Sequence, residues 1–221
     1  MESEKEILEI RKQIATCTKC KLYLSRNKIV PGEGPVNCEI MFIGEAPGFH
    51  ENEQGKPFVG AAGQFLDTLL EKAGLKRENV FITNVVKCRP PANREPEVEE
   101  LDACRPYLEA QITAIDPKVI VTLGRFSMAN FIENGKISFI HGHSRMINGR
   151  LIVPMYHPAA ALHQPDLRNV LLEDFSRLPA LLDKKDNISY SETKSQTSTT
   201  KAAEIEEEPK KEQAQQLSLF E

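Results

Sequence analysis

Four short runs of this chain are apolar almost throughout: "CEIMFIGE" (38–45), "VFITNVVKC" (80–88), "KVIVTLG" (118–124) and "RLIVPMY" (150–156). A strand with one wet face alternates apolar and polar residues; a strand buried on both faces does not. Stretches with helical periodicity lie between these runs. Residues 3–16 set Ile7, Ile10 and Ile14 on one face, and "AGQFLDTLLEKAG" (62–74) turns Phe65, Leu66, Leu69 and Leu70 inward before closing on Gly74. "EPEVEELDACRPYLEAQITAI" (95–115) opens with acids, which suits a helix N-terminus, while Pro106 predicts a kink or a break. "RFSMANFIE" (125–133) and "LRNVLLEDFSRLPALL" (167–182) complete the alternation. The pattern predicts an α/β fold in which a central four-stranded parallel sheet is covered by helices on both faces, a three-layer α/β/α arrangement.

Sheets of this kind hold ligands beyond the carboxyl ends of their strands, and the chemically loaded residues fall there. Gly44 to Gly48 follow the first run, Asn84 and Cys88 end the second, Gly124 and Arg125 follow the third, and Tyr156, His157 and Pro158 follow the fourth. Charge does little to narrow the ligand. The formal net charge is -4, so any nucleic-acid contact must rest on local positive groups. No run approaches a membrane span, and "MESEKEILEIRK" has acids where a signal peptide needs a basic start and an apolar core. A soluble, cytoplasmic chain is expected.

In that compartment the five cysteines are ligands or reactive groups rather than disulfides. "CTKC" gives Cys17 and Cys20 the spacing of a metal-binding knuckle; Cys88 ends a strand and Cys104 lies in the following helix. Cys38, at the start of a strand, reads as core. Only one pair is tight, so spacing leaves zinc and an iron–sulfur cluster both open. In either case the group would staple the N-terminal helix to the second strand and third helix.

The segment "GEAPGFHENEQGKPFVGAAG" (44–63) has more glycine and proline than a plain connection needs. "GEAPG" lets backbone N–H groups approach a ligand closely, with Glu51 and Phe58 flanking it. Taken alone, Phe58 reads as a core plug rather than a stacking surface, Asn84 as either a turn cap or a paired donor and acceptor, and His157 as an imidazole held by a rigid turn. Taken together, the three fit a planar heterocycle: Phe58 stacks on it, Asn84 reads two adjacent edge groups and His157 donates to a carbonyl oxygen. A nucleobase turned out of its helix has that shape.

"GEAPGFHENEQGKPFVGAAGQ", "FITNVVKCRPPANREP" and "YHPAAAL", in that order and with Cys17, Cys20, Cys88 and Cys104, resemble the family 4 uracil-DNA glycosylases over residues 5–182. The resemblance implies a [4Fe–4S] cluster on those four cysteines and hydrolysis of the N-glycosidic bond of uracil in DNA. It places the motif turn at Gly44, Glu45, Ala46, Pro47 and Gly48. It puts Glu51 where a 5-methyl group is shut out, Phe58 where uracil stacks, Asn84 where N3–H and O4 are read, and His157 where O2 is contacted. Related families carry an Asp where this chain has Ala46; Glu45 is the nearest candidate base. Arg89, Arg94, Arg125 and Arg168 gather at the same sheet edge as candidate phosphate contacts. Uracil-containing DNA is the expected partner and the nucleoid the expected place of work. A non-catalytic reader of uracil-containing DNA on the same scaffold, for which Ala46 is the hint, and an iron–sulfur electron carrier are the alternatives.

From about Lys184 the composition turns polar and mixed in charge, which predicts disorder. "QLSLF" then resembles the short peptide with which bacterial repair and replication proteins bind the sliding clamp: Leu217, Leu219 and Phe220 would fill an apolar groove and Gln216 would bond at its edge. The expected organisation is a monomer with a catalytic domain at 1–183, a linker at 184–215 and a clamp-binding peptide at 216–221.

Overall fold

The computed structural model describes residues 2–184. Five strands form one sheet, β1 (Ile40–Gly44), β2 (Phe81–Asn84), β3 (Val119–Leu123), β4 (Arg145–Ile147) and β5 (Arg150–Met155), in the spatial order β2-β1-β3-β5-β4. The four expected strands are present and mutually parallel, paired through Met41 with Phe81, Phe42 with Val121, and Val121 with Val153. The fifth, β4, corrects the strand count. It pairs antiparallel with β5 through Met146 and Leu151. Its three residues are exposed or half-buried, so it carries no apolar run; it caps an edge that would otherwise leave backbone groups unpaired.

The helices are α1 (Glu2–Ala15), α2 (Phe49–Gln54), α3 (Ala61–Lys72), α4 (Val98–Ile115), α5 (Arg125–Ala129), α6 (Ile137–Ile140), α7 (Ala160–His163) and α8 (Asp166–Lys184). Alternate strand residues feed two cores, as the two-residue period requires. Phe42, Ile82, Val121 and Val153 pack with Leu66, Leu69 and Leu70 of α3 and with Leu171, Phe175 and Leu178 of α8. Met41, Ile43, Phe81, Ile120 and Ile152 face the other way, onto Leu108 and Ile115 of α4 and Met128 of α5. Cys38 lies in this second core, as expected. Ile10 and Ile14 of α1 pack on Tyr107 and Ala114 of α4. The result is the anticipated three layers.

Of the kink or break expected at Pro106, the break does not occur: helix α4 runs through it. Buried Tyr107, Leu108 and Gln111 follow directly, and their packing offsets the one helical bond that proline removes. Helix α8 reaches Lys184, one residue past the expected end of the folded part. The segment 185–221, with Gln216, Leu217, Leu219 and Phe220, lies outside the described residues. No described helix is long and apolar enough to cross a membrane.

A candidate base-binding pocket and a four-cysteine cavity

The carboxyl ends of β1, β2 and β5 open into a cavity of about 530 Å³, lined among others by Glu45, Ala46, Pro47, Gly48, Glu51, Phe58, Asn84 and His157. That volume suits a small-molecule site. Gly44, at the end of β1, is the close approach on which the pocket depends: a Cβ there would stand 2.6 Å from Phe58 Cζ and also strike Asn84 Oδ1. Only glycine lets the ring and the amide converge on the same spot.

Phe58 is held in an uncommon state. Its φ is +52°, the left-handed region that bulky residues avoid. Gly63 makes room for it, since any Cβ at that position would land on the Phe58 carbonyl group. Glu51 supplies the restraint. One carboxylate oxygen accepts from the N–H of Val59 and of Gly60, both at 2.9 Å, and the other accepts from Gly48 N–H at 3.1 Å. A single carboxylate thus ties the turn after β1 to the loop that carries Phe58. The ring is both plug and plate: 6% exposed, it belongs to the core and also lines the cavity.

Asn84 is 1% exposed. Among the described residues three buried side-chain polar atoms lack a hydrogen-bond partner, and of these only Asn84 Oδ1 belongs to a residue lining this cavity. Leaving a buried acceptor unpaired is costly, and this one is left so in a residue of the cavity wall. Its backbone carbonyl is fixed from below by Lys87, a lysine only 1% exposed. The Lys87 ammonium donates to Asn84 O at 2.7 Å, Gln111 Oε1 at 2.7 Å and Thr83 Oγ1 at 2.8 Å. Burial lowers its pKa to about 8.

His157 lies near Phe58, ring centroids 5.6 Å apart and planes 26° from parallel. The Ala159 N–H donates to His157 Nδ1 at 3.1 Å. An accepting Nδ1 leaves the proton of a neutral imidazole on Nε2. Burial pushes the pKa down to about 4, against the opposing pull of the Glu51 charge, so the ring is neutral at pH 7. Glu45 is displaced the other way. Burial first, and the Glu95 charge second, raise its pKa to about 7, opposed by Arg125.

The candidate phosphate contacts are less uniform. Arg94 lines the cavity, but its guanidinium forks onto the buried Glu100 carboxylate at 2.6 and 2.8 Å; it is committed to holding the start of α4. Arg125 is paired with Glu95 and stacks on Phe126. Arg168 lies over Phe65, and Arg89 lies over Phe49 while its Nε donates to Asn93. None of these three lines the cavity. Residues the sequence did not single out do line it: Asn93, Glu95 and His163. They sit on irregular loops or a one-turn helix, where no periodicity or motif marks them.

Cys17, Cys20, Cys88 and Cys104 line a second, narrow cavity together with Arg26, Lys87 and Tyr107. No three His, Cys, Asp or Glu side chains among the described residues are placed to hold a single metal ion, yet the four thiols share one space. Arg26 Nη1 donates to Cys88 Sγ at 3.4 Å. Burial raises the thiols of Cys20 and Cys88 above their ordinary range and that of Cys104 to about 11.

The model of the Uracil DNA glycosylase superfamily matches residues 31–176. The chain is 47% identical to the Type-4 uracil-DNA glycosylase of Sulfurisphaera tokodaii, over 82% of this chain and 88% of the relative. It is 48% identical to that of Saccharolobus solfataricus, over 82% and 90%, and 43% identical to that of Archaeoglobus fulgidus, over 80% and 94%. The chain belongs to the uracil-DNA glycosylase superfamily and groups there with its Type-4 members.

Proposed function

We propose that this protein hydrolyses the N-glycosidic bond of uracil in DNA, releasing the base and leaving an abasic site. The observation that carries the reading is the buried, partnerless Asn84 Oδ1 in a cavity shared with Phe58 and His157. An amide held there accepts from uracil N3–H through Oδ1 and donates to O4 through Nδ2. Cytosine reverses both polarities and leaves buried groups unpaired, a mismatch that can discriminate by about 10⁴-fold or more. Thymine differs only by a methyl group, and excluding it needs a wall that does not yield. Glu51 serves as that wall, and the three backbone N–H groups that lock it support the reading.

As the bond breaks, positive charge develops on the sugar and negative charge on the departing uracil. A neutral His157 donating from Nε2 toward O2 stabilises that anion without adding a proton to it, and preorganised donors of this kind contribute a few kcal/mol each, on the order of 10²–10³ in rate. Glu45 acts at the other charge. With a pKa of about 7 it is half ionised near neutrality, fit to position a water and take its proton. Ala46 leaves no other carboxylate in the "GEAPG" turn.

Cys17, Cys20, Cys88 and Cys104 are suited to hold a [4Fe–4S] cluster. The donor set is right, and Arg26 and Lys87 among the thiols offset the charge of four thiolates. The cluster's contribution when bound is structural: it joins the end of α1, the loop after β2 and α4. Metal must displace protons from thiols whose burial favours the neutral form. Residues 216–221 serve as a clamp anchor and 184–215 as its tether, which raises local concentration on DNA without new contacts at the pocket.

For uracil-containing oligonucleotides, kcat/KM should rise through about pH 7 as Glu45 ionises and then hold, with no falling limb from His157 above pH 5. Glu45→Gln should remove that rise and cost about 10²-fold in kcat; His157→Ala should cost about 10²-fold or more at every pH above 5. Wild-type rates in both variants would remove both roles, and tight binding of uracil DNA without cleavage by the parent protein would favour the non-catalytic reader. Protein purified without oxygen should be brown, and Cys104→Ser should lose the colour and several degrees of Tm; a colourless protein containing zinc overturns the iron assignment. Deleting residues 216–221 should abolish retention on a bacterial sliding clamp while cleavage of short oligonucleotides persists, and unchanged retention refutes the anchor.

A further inference from the structure

Phe49 is a large aromatic side chain beside the pocket that takes no part in holding the extruded base or cleaving its bond. It is 52% exposed. It opens α2 directly after Gly48, which lines the cavity. Arg89 lies over its ring, the guanidinium carbon 5.2 Å from the centroid, and His50 meets it edge-on at 5.5 Å and 80°. Arg89 is tied through Nε to Asn93 Oδ1 at 2.7 Å, and Asn93 also lines the cavity. The stack therefore bridges two loops, one after β1 and one after β2, that both contribute wall to the site.

A lone exposed phenylalanine on a soluble protein needs no explanation. This one is different in three respects: a cation lies over the ring, an imidazole packs against it at a steep angle, and its backbone is continuous with the pocket. With both neighbours in place about half of the side chain is still exposed, a flat apolar surface next to the cavity wall. The two terminal nitrogens of Arg89 make no ion pair or hydrogen bond among the described residues, so they are available to an anion next to that surface. A flat π-face beside an available guanidinium is what a base and its phosphate together require. A paired base in a duplex offers no free face; an unpaired neighbour does.

We infer that Phe49, backed by Arg89, is a stacking platform for the unpaired base adjoining the extruded nucleotide, with Arg89 directed at the intervening phosphate. The inference rests on the reading of the pocket as a site for uracil in DNA. It gives the protein a preference for single-stranded flanks that the pocket alone does not supply.

The test uses single-stranded oligonucleotides with one uracil, in which the base on either side is kept or replaced by an abasic tetrahydrofuran. In the wild type, removing the base on one side should raise KM about tenfold. Phe49→Ala and Phe49→Leu should raise KM about tenfold on the intact strand and lose nothing further when that base is removed; Phe49→Trp should behave as wild type. A parallel arm measures binding of a uracil-free thymidine oligonucleotide by fluorescence anisotropy, where Phe49→Ala should weaken the single strand by a similar factor and the matching duplex much less. The platform is overturned if Phe49→Ala and Phe49→Leu lose the same factor on every substrate, if neither changes any, or if Phe49→Leu matches wild type. If the wild type cleaves no substrate, the uracil reading fails separately. The anisotropy arm then decides alone, and equal single-strand affinities of wild type and Phe49→Ala overturn the platform.

Discussion

The site depends on one carboxylate. Glu51 sits on a one-and-a-half-turn helix after β1, yet its two oxygens collect the N–H groups of Gly48, Val59 and Gly60. Those bonds fix the "GEAPG" turn against the loop that carries Phe58, and they hold Phe58 at a φ that costs on the order of 1 kcal/mol or more for such a residue. The glycines at 44 and 63 remove the two clashes that the strained position would otherwise meet. Removing the clamp would leave each of the other parts in place but free the ring from its fixed position opposite Asn84. Hydrogen bonds from three backbone donors to one charged acceptor are the stronger kind, and here they hold a glycine-rich stretch of chain in one conformation, as the proposed exclusion of a methyl group requires.

Electrostatics divides the pocket between two groups moved apart by their surroundings. Burial depresses His157, so it remains a neutral donor, while burial and Glu95 raise Glu45 toward neutrality. The same burial acts with opposite sign because one group is charged when protonated and the other when deprotonated. In the proposed scheme the neutral ring serves as a hydrogen-bond donor and the carboxylate as the base. Beneath them Lys87 joins the Asn84 carbonyl to the side of the cysteine cavity, so the proposed cluster and the reading amide share one buried support.

Much of this was legible in the residues, and the reasons are specific. Strands β1, β2, β3 and β5 are buried on both faces and so declare themselves as continuous apolar runs ended by Gly44, Asn84, Gly124 and Tyr156. That alone located the ligand edge. Strand β4 did not show, because three partly exposed residues on an edge have no apolar signature. Pro106 does not break α4, because tertiary packing carries the helix through it. Phe58 posed a false choice between plug and plate: it is buried in the core and still borders the cavity. Buried charges were the least legible. Lys87 and Glu100 look like ordinary surface residues in the sequence, and only the fold reveals that one braces Asn84 and the other consumes the fork of Arg94.

A crystal structure with the product uracil bound is the most direct test of the account. The base should lie flat against Phe58, with its N3–H donated to Asn84 Oδ1 and its O2 facing His157 Nε2. Uracil found away from this cavity, or bound in it with Asn84 Oδ1 still lacking a partner, would contradict it.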